Sequence, residues 1–180
     1  MKLLLIRHGE SVNNLLKRYT GQSDVPLTAL GRQQAEEIRP VLACIPFERV
    51  YSSDLCRAVD TQKLALPGFT AIQTPLLREI DVGSIAGLPF HPTAMAKRTD
   101  GENWEMVAQR LKKFLSQLES DPCGYVAAFC HGGILKTMLE LVLETPYAKG
   151  NVINDNCNIC VFEFDGTRWK LLAWNYGCKV

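Results

Sequence analysis

Apolar residues in this chain follow two periods, and the two periods alternate along the sequence. Continuous apolar runs at residues 2–6 and 125–130 are typical of buried strands. Helical spacing of apolar residues follows Thr28, which is a plausible N-cap, and again follows Trp104 and Ile134. Shorter segments predict strands at 49–51, 70–73, 158–164 and 167–174, and a helix capped by Ser52 or Ser53 with Leu55, Ala58, Val59 and Ala65 on one face.

This alternation of strands and helices predicts an α/β fold, a three-layer α/β/α sandwich around a mostly parallel sheet. Asp165-Gly166 lies between the last two strand segments and predicts a C-terminal hairpin, hence one antiparallel strand. The helix that begins after Thr28 is expected to use Leu30, Ile38 and Leu42 as its apolar stripe. We expect one domain over residues 1–180, with a short cap segment at about 81–100 where periodicity is weak.

Composition excludes several functional classes. Hydrophobic residues make up 47% of the chain, the formal net charge is +1, and no run of Lys or Arg stands out. Binding to nucleic acid or to a membrane surface therefore has no compositional support. The N-terminal apolar run is too short for a signal peptide, and no stretch could span a bilayer, so we expect a cytoplasmic protein. Seven cysteines, an odd number, are expected to be reduced thiols, and Cys157-x-x-Cys160 is expected to be structural.

Two strand ends carry the chemistry. The first strand runs into Arg7-His8-Gly9, and the strand at 125–130 runs into His131-Gly132-Gly133. Ligands bind at the carboxyl ends of strands in open α/β sheets, so both imidazoles are expected at the same edge. The glycines leave backbone N–H groups available at a helix start, which suits an anion.

Other candidate residues leave alternatives open. Arg57, early in a helix, has the forked donors that suit phosphate oxygens, although taken alone it is more often part of a solvated helix face. Asn14 follows His8 by six residues and could donate from the adjoining turn. Glu79 could protonate a leaving alkoxide, but it could also simply pair with Arg78, and Asp81 is an equal candidate for the proton donor.

These residues and their order resemble the histidine phosphatase superfamily, the phosphoglycerate-mutase-like group. The matching blocks run from Arg7-His8-Gly9-Glu10-Ser11 with Asn14, through residues 19–28, Gly31, Ser52-Ser53 with Arg57-Ala58, residues 77–87 and Gly101-Glu102-Asn103, to His131-Gly132-Gly133. The resemblance implies that His8 is a nucleophile that becomes phosphorylated and that Glu79 is the general acid and base. It also implies a phosphate pocket of Arg7, Asn14, Arg57, His131 and Gly132, and a substrate-facing loop of Thr20, Gly21 and Gln22.

The segment between Gly87 and Gly101 favours hydrolysis over mutase chemistry. Only thirteen residues, 88–100, lie there, whereas the mutases that the chain resembles carry a longer insertion with basic residues. A bisphosphate intermediate needs protection from water, which a short cap does not offer. We expect a phosphatase acting on a small phosphorylated metabolite such as α-ribazole 5′-phosphate or a sugar phosphate, with no metal and no cofactor. Mutase-type phosphoryl transfer and a non-catalytic phosphoester-binding module are the alternatives.

Overall fold

A computed structural model describes residues 1–91, 93–145 and 152–177. The strands are β1 (Lys2–Arg7), β2 (Arg49–Ser52), β3 (Ile72–Gln73), β4 (Tyr125–Cys130), β5 (Ile159–Phe164) and β6 (Trp169–Tyr176). The helices are α1 (Val12–Leu15), α2 (Ala29–Glu37), α3 (Arg39–Ala43), α4 (Cys56–Ala65), α5 (Ala94–Lys97), α6 (Trp104–Ser120) and α7 (Gly132–Leu143), with 3-10 turns at Pro75–Leu77 and Gly83–Ile85.

The six strands form one sheet in the order β3-β2-β4-β1-β5-β6. Strands β3, β2, β4 and β1 are parallel to one another, whereas β5 runs antiparallel to both β1 and β6. The predicted mostly parallel sheet, its single antiparallel strand and the C-terminal hairpin are therefore confirmed.

Both faces of the sheet are covered, which accounts for the unbroken apolar run in β1. Leu3 and Leu5 pack into the core beneath α6 and α7, while Leu4 and Ile6 pack into the core beneath α2 and α3. Successive side chains of a strand point to opposite faces, so a strand at the centre of a sandwich needs apolar residues at every position. The three-layer architecture follows from this run.

The predicted helix through Leu42 is wrong in its length and partly in its apolar face. It ends at Glu37, and α3 restarts at Arg39 with Pro40 in its first turn, because a proline inside a longer helix would remove a backbone hydrogen bond. Leu30 is 38% exposed rather than part of the stripe. The N-cap prediction holds, since the Thr28 side chain accepts a hydrogen bond from the backbone N–H of Gly31.

The predicted serine cap of α4 is also wrong. The N-cap residue is Leu55, which has no side-chain cap bond, while Ser52 ends β2. In the predicted cap segment, the structure contains the turn Gly83–Ile85 and the short helix α5. Within the described ranges, every helix is too short or too polar to cross a bilayer.

The turn after β1 is held against the start of α2 by two glycines. A Cβ built on Gly9 would lie 2.2 Å from the carbonyl oxygen of Gly31, and a Cβ built on Gly31 would lie 2.0 Å from the carbonyl oxygen of Glu10. The backbone of the turn and the backbone of the helix are therefore in direct contact. This contact fixes the chain that follows His8.

We expect Gly31→Ala to lower the free energy of unfolding by about 1–3 kcal/mol, the usual cost of overpacking. Alanine normally stabilises a helix by about 1 kcal/mol relative to glycine, so the sign of the change is diagnostic. Chemical denaturation measures it, with Gly68→Ala as the matched control because nothing lies within 4 Å of a Cβ built there. A Gly31→Ala protein as stable as the wild type would contradict the close contact.

Candidate active site

The pairing of β1 with β4 brings the two predicted histidines together. Arg7 pairs with Cys130 in parallel register, so His8 and His131 are the next residues of adjacent strands. Their ring centroids are 5.2 Å apart, and both side chains are buried. The structure thus places both imidazoles at the same sheet edge.

The hydrogen bonding of His8 defines which ring nitrogen can react. Its Nδ1 lies 2.6 Å from the carbonyl oxygen of Gly9, and a carbonyl can only accept, so Nδ1 carries the proton. The lone pair is therefore on Nε2. Burial, followed by the positive charges of Arg57 and Arg7, lowers the pKa of His8 well below its usual range. The ring is neutral at physiological pH and is an available nucleophile.

His131 is equally constrained. Burial, followed by the positive charge of Arg57, lowers the pKa of His131 well below its usual range. Its Nε2 lies 2.9 Å from Oγ of Ser53, while its Nδ1 is buried without a hydrogen-bond partner among the described residues. Ser53, predicted as a possible helix cap, is thus a hydrogen-bond partner of His131. Sequence spacing gave no sign of this contact, since 78 positions separate the two residues.

Two buried guanidinium groups supply positive charge beside His8. Arg57 donates from Nη1 and Nη2 to the carbonyl oxygens of Ser23 and Gly21, both at 2.8 Å, and Arg7 donates from Nη1 to the carbonyl oxygen of Asn154. The Nε of each arginine is buried with no hydrogen-bond partner among the described residues. Burial lowers both pKa values from their usual range. An unpaired charged donor in a buried position is costly, and an oxyanion would satisfy both. For Arg57, the open alternative of a solvated helix face is wrong.

Glu79 is held at the N-terminus of α7. Its Oε1 accepts hydrogen bonds from the backbone N–H of Ile80 at 2.9 Å and of Gly133 at 3.1 Å. A Cβ built on Gly133 would lie 2.1 Å from Oε1, so only glycine allows this approach. Of the two candidate acids, Glu79 lines the cleft, whereas Asp81 accepts from the backbone N–H of Gly83 and is absent from the lining. Arg78 forms its ion pair with Asp54, at 2.6 Å.

A partly buried ion pair that sequence reasoning missed supports the Glu79 segment. Glu102 accepts from Nε and Nη2 of Arg110 at 2.8 and 2.9 Å, and Arg110 also donates to the backbone carbonyl of Glu79 at 3.1 Å. Burial opposes ionisation of Glu102, but hydrogen bonds from Arg110 and from the backbone of Asp81 lower its pKa. The sequence analysis did note the Gly101-Glu102-Asn103 block. Nothing in the spacing of residues indicated that Arg110 would be the partner of Glu102.

A second segment that the sequence analysis missed holds His8 from behind. The side-chain amide of Asn156 donates to the backbone carbonyl of His8 at 3.0 Å and to Oδ1 of Asn14 at 3.4 Å. Oδ1 of Asn14 also accepts from the backbone N–H and hydroxyl of Ser11. The asparagine-rich stretch before β5 was the available signal. Its carbonyls and amides fix Arg7, His8 and Asn14 together.

A cleft of about 310 Å³ lies at this sheet edge. The predicted residue His131 is buried beside His8 and is not among the residues that line the cleft. The predicted residues that line it are Arg7, His8, Asn14, Thr20, Gly21, Arg57, Glu79 and Gly132. Gln22 does not line it, because its side-chain amide donates to the carbonyl of Glu79 and its Oε1 accepts from Arg78. Gly133, named with Gly132 as a source of backbone donors, also lines it. Lining residues to which the sequence analysis assigned no role are Arg18, Tyr19, Ile80, Val82, Phe90, Met95, Trp104, Lys136 and Asn154.

Known proteins similar to this chain belong to families of phosphatases and mutases. Residues 3–177 match the family model of the histidine phosphatase superfamily, branch 1. The chain is 39% identical to 2,3-bisphosphoglycerate-dependent phosphoglycerate mutase 2 of Gloeobacter violaceus, over 94% of this chain and 90% of that protein. It superposes on mycobacterial glucosyl-3-phosphoglycerate phosphatase with a TM-score of 0.85 and 28% identity, covering 97% of this chain and 98% of the other. A putative alpha-ribazole-5'-P phosphatase from Escherichia coli shares the fold, with a TM-score of 0.87 and 24% identity over 98% of this chain and 97% of that one. The chain belongs to the histidine phosphatase superfamily.

Proposed function

We propose that this protein hydrolyses phosphate monoesters of small molecules through a phosphohistidine at His8. One observation carries the proposal: a neutral imidazole with its lone pair on Nε2 lies beside two arginines whose Nε donors are unpaired. Glu79 lines the same cleft. Nucleophile, anion site and proton donor are therefore present together, which weighs against a merely phosphoester-binding module.

In the first step, Nε2 of His8 attacks the phosphorus of the bound ester. An N–P bond forms, the bond from phosphorus to the ester oxygen breaks, and protonated Glu79 gives its proton to the departing oxygen. Arg7 and Arg57 neutralise the charge on the non-bridging oxygens, with Asn14, His131 and the Gly132 end of α7 as further donors. The alcohol then leaves the cleft.

In the second step, water attacks the phosphohistidine. Glu79, now a carboxylate, takes a proton from the water as the new P–O bond forms and the N–P bond breaks. Inorganic phosphate is released, and His8 is neutral again with Glu79 protonated. Protein side chains carry all of the charge neutralisation in these steps, and the proposal includes no metal ion and no cofactor.

The shape of the cleft favours hydrolysis over mutase chemistry. Phe90 and Trp104 at its mouth are 56% and 37% exposed, so water reaches the cleft. A mutase must protect its bisphosphate intermediate from water. The likeness to the Gloeobacter mutase nevertheless makes phosphoglycerate mutase activity the second candidate. α-Ribazole 5′-phosphate and sugar phosphates are candidate substrates of the hydrolase.

We expect phosphate release from a panel of phosphate monoesters in the presence of a metal chelator, and none from His8→Ala. A parallel incubation with 3-phosphoglycerate and 2,3-bisphosphoglycerate, followed by 31P NMR, tests the second candidate. The hydrolase predicts inorganic phosphate without 2-phosphoglycerate. Formation of 2-phosphoglycerate faster than phosphate, or activity that a chelator removes and one divalent metal restores, would reject the proposal.

The role of Glu79 is tested through the leaving group. An alkoxide needs a proton as it departs, whereas nitrophenolate needs it far less. Glu79→Gln should therefore reduce kcat/KM for an alkyl phosphate by about 10²–10⁴-fold and reduce kcat/KM for nitrophenyl phosphate much less. The ratio kcat/KM reports the steps up to departure of the alcohol and not the later attack of water, in which Glu79 serves both substrates. Asp81→Asn is the matched control and should leave the ratio of the two rates as in the wild type. The assignment fails if Asp81→Asn, and not Glu79→Gln, shows the selective loss.

The buried imidazoles make stability depend on pH. In the unfolded chain each imidazole returns to a pKa of about 6.5, so below that pH the unfolded state binds more protons than the folded state. This contribution to the free energy of unfolding is fully present above pH 6.5. It is lost as the pH falls below 6.5 toward the lower pKa of the folded state, because protons then bind the unfolded chain preferentially. Denaturation at several pH values should show a shallower loss in His131→Gln than in the wild type. His91→Gln, at an exposed position, is the control and should retain the wild-type slope. Equal slopes in all three proteins would contradict neutral, buried imidazoles.

A further inference from the structure

The mouth of the cleft is aromatic, unlike its cationic floor. Tyr19, Phe90, Met95 and Trp104 line it. Among the described residues, the exposed large aromatics are Phe69, Phe90, Trp104 and Tyr176, and two of these four belong to this cleft. Apolar and aromatic side chains around a few convergent polar groups are typical of a small-molecule site.

Trp104 lies beside the proposed proton donor. A Cβ built on Gly133 would lie 2.1 Å from Oε1 of Glu79 and 3.4 Å from Cζ3 of Trp104, so the indole and the carboxylate flank the same glycine. The proton donor marks the side from which the ester oxygen leaves. The indole therefore lies on the leaving-group side of the phosphate, at the first residue of α6, after the Asn103 cap.

An aromatic pair, Tyr19 and Phe90, lines the same cleft, and hydrogen bonds join the two segments that carry it. The rings of Tyr19 and Phe90 meet edge to face, with centroids 4.7 Å apart. Backbone bonds join the two segments, from Tyr19 N–H to Leu88 at 2.9 Å and from Phe90 N–H to Lys17 at 2.9 Å. The Tyr19 hydroxyl donates to the carbonyl of His91 at 2.8 Å, so its donor is already used. This pair therefore presents the surfaces of its rings, rather than a hydrogen-bond donor, to a ligand.

We propose that the preferred substrates carry a planar apolar group, an aromatic ring or heterocycle, close to the ester oxygen, packed against Trp104 and Phe90. This proposal rests on the proposed function and names the substrate class for the same site. A small, fully hydroxylated leaving group would leave these two side chains exposed after binding. A planar apolar group would cover them and gain the burial and ring–ring contacts.

Two alkyl esters with matched leaving groups test the proposal. 2-Phenylethyl phosphate and ethyl phosphate both release a primary alkoxide, so their rates differ through binding of the ring rather than through leaving-group chemistry. We expect kcat/KM to be about tenfold higher for the phenylethyl ester, the size of a ring–ring contact with its buried area. Glycerol 1-phosphate and 3-phosphoglycerate serve as polar competitors, the latter because Arg18 and Lys136 also line the cleft.

Variants assign the preference to the aromatic side chains. Phe90→Ala and Trp104→Ala should each reduce the phenylethyl-to-ethyl ratio severalfold, and Phe90→Leu should fall between Phe90→Ala and the wild type. Tyr176→Ala removes an exposed aromatic side chain from β6, outside the cleft, and should leave the ratio unchanged.

The outcomes separate this proposal from the proposed function. A ratio near one in the wild type, or higher kcat/KM for glycerol 1-phosphate or 3-phosphoglycerate, overturns the substrate class while hydrolysis stands. A ratio that Phe90→Ala and Trp104→Ala leave intact overturns it as well. No turnover of any ester overturns both. A tenfold ratio that falls in both variants and persists in Tyr176→Ala supports the planar apolar class.

Discussion

The parallel pairing of β1 with β4 is the constraint on which the site depends. With Arg7 opposite Cys130, each strand delivers a histidine to the same sheet edge, and the two rings lie 5.2 Å apart. Side chains on a rigid sheet edge are positioned more accurately than side chains on loops. After the second histidine, Gly133 lets the N-terminus of α7 approach the carboxylate of Glu79 closely.

The same sheet edge also concentrates buried positive charge. Arg57 is held by two backbone carbonyls, and Arg7 by another, in contrast to Arg110, whose partner is the Glu102 carboxylate. A carbonyl fixes a guanidinium without cancelling its charge, so Arg7 and Arg57 remain available to a phosphoryl group. The same charges, together with burial, keep His8 neutral. The proposed anion binding and the proposed nucleophilicity therefore share one electrostatic origin.

The sequence predicted the features that depend on local pattern. Unbroken apolar runs marked β1 and β4, and the polar residues directly after them marked His8 and His131. Features that depend on long-range contacts could not be obtained in this way. Three contacts of this kind join residues that are far apart in the chain. They are the hydrogen bonds between Ser53 and His131, from Arg110 to the carbonyl of Glu79, and from Gln22 to the carbonyl of Glu79. Pro40 is the local signal in the sequence for the break between α2 and α3. The choice between Glu79 and Asp81 as the cleft carboxylate depended on the three-dimensional position of Gly133, which contacts Glu79.

Direct detection of a phosphorylated imidazole tests the central claim, that His8 is the nucleophile of a phosphoryl-transfer site. The measurement is a rapid-quench experiment with 32P-labelled phosphate monoester, followed by alkaline peptide mapping. We expect an acid-labile phosphate on the peptide that contains His8, formed before phosphate release and absent from His8→Ala. Turnover without a labelled enzyme, or a phosphate on His131 or any other residue, would contradict it.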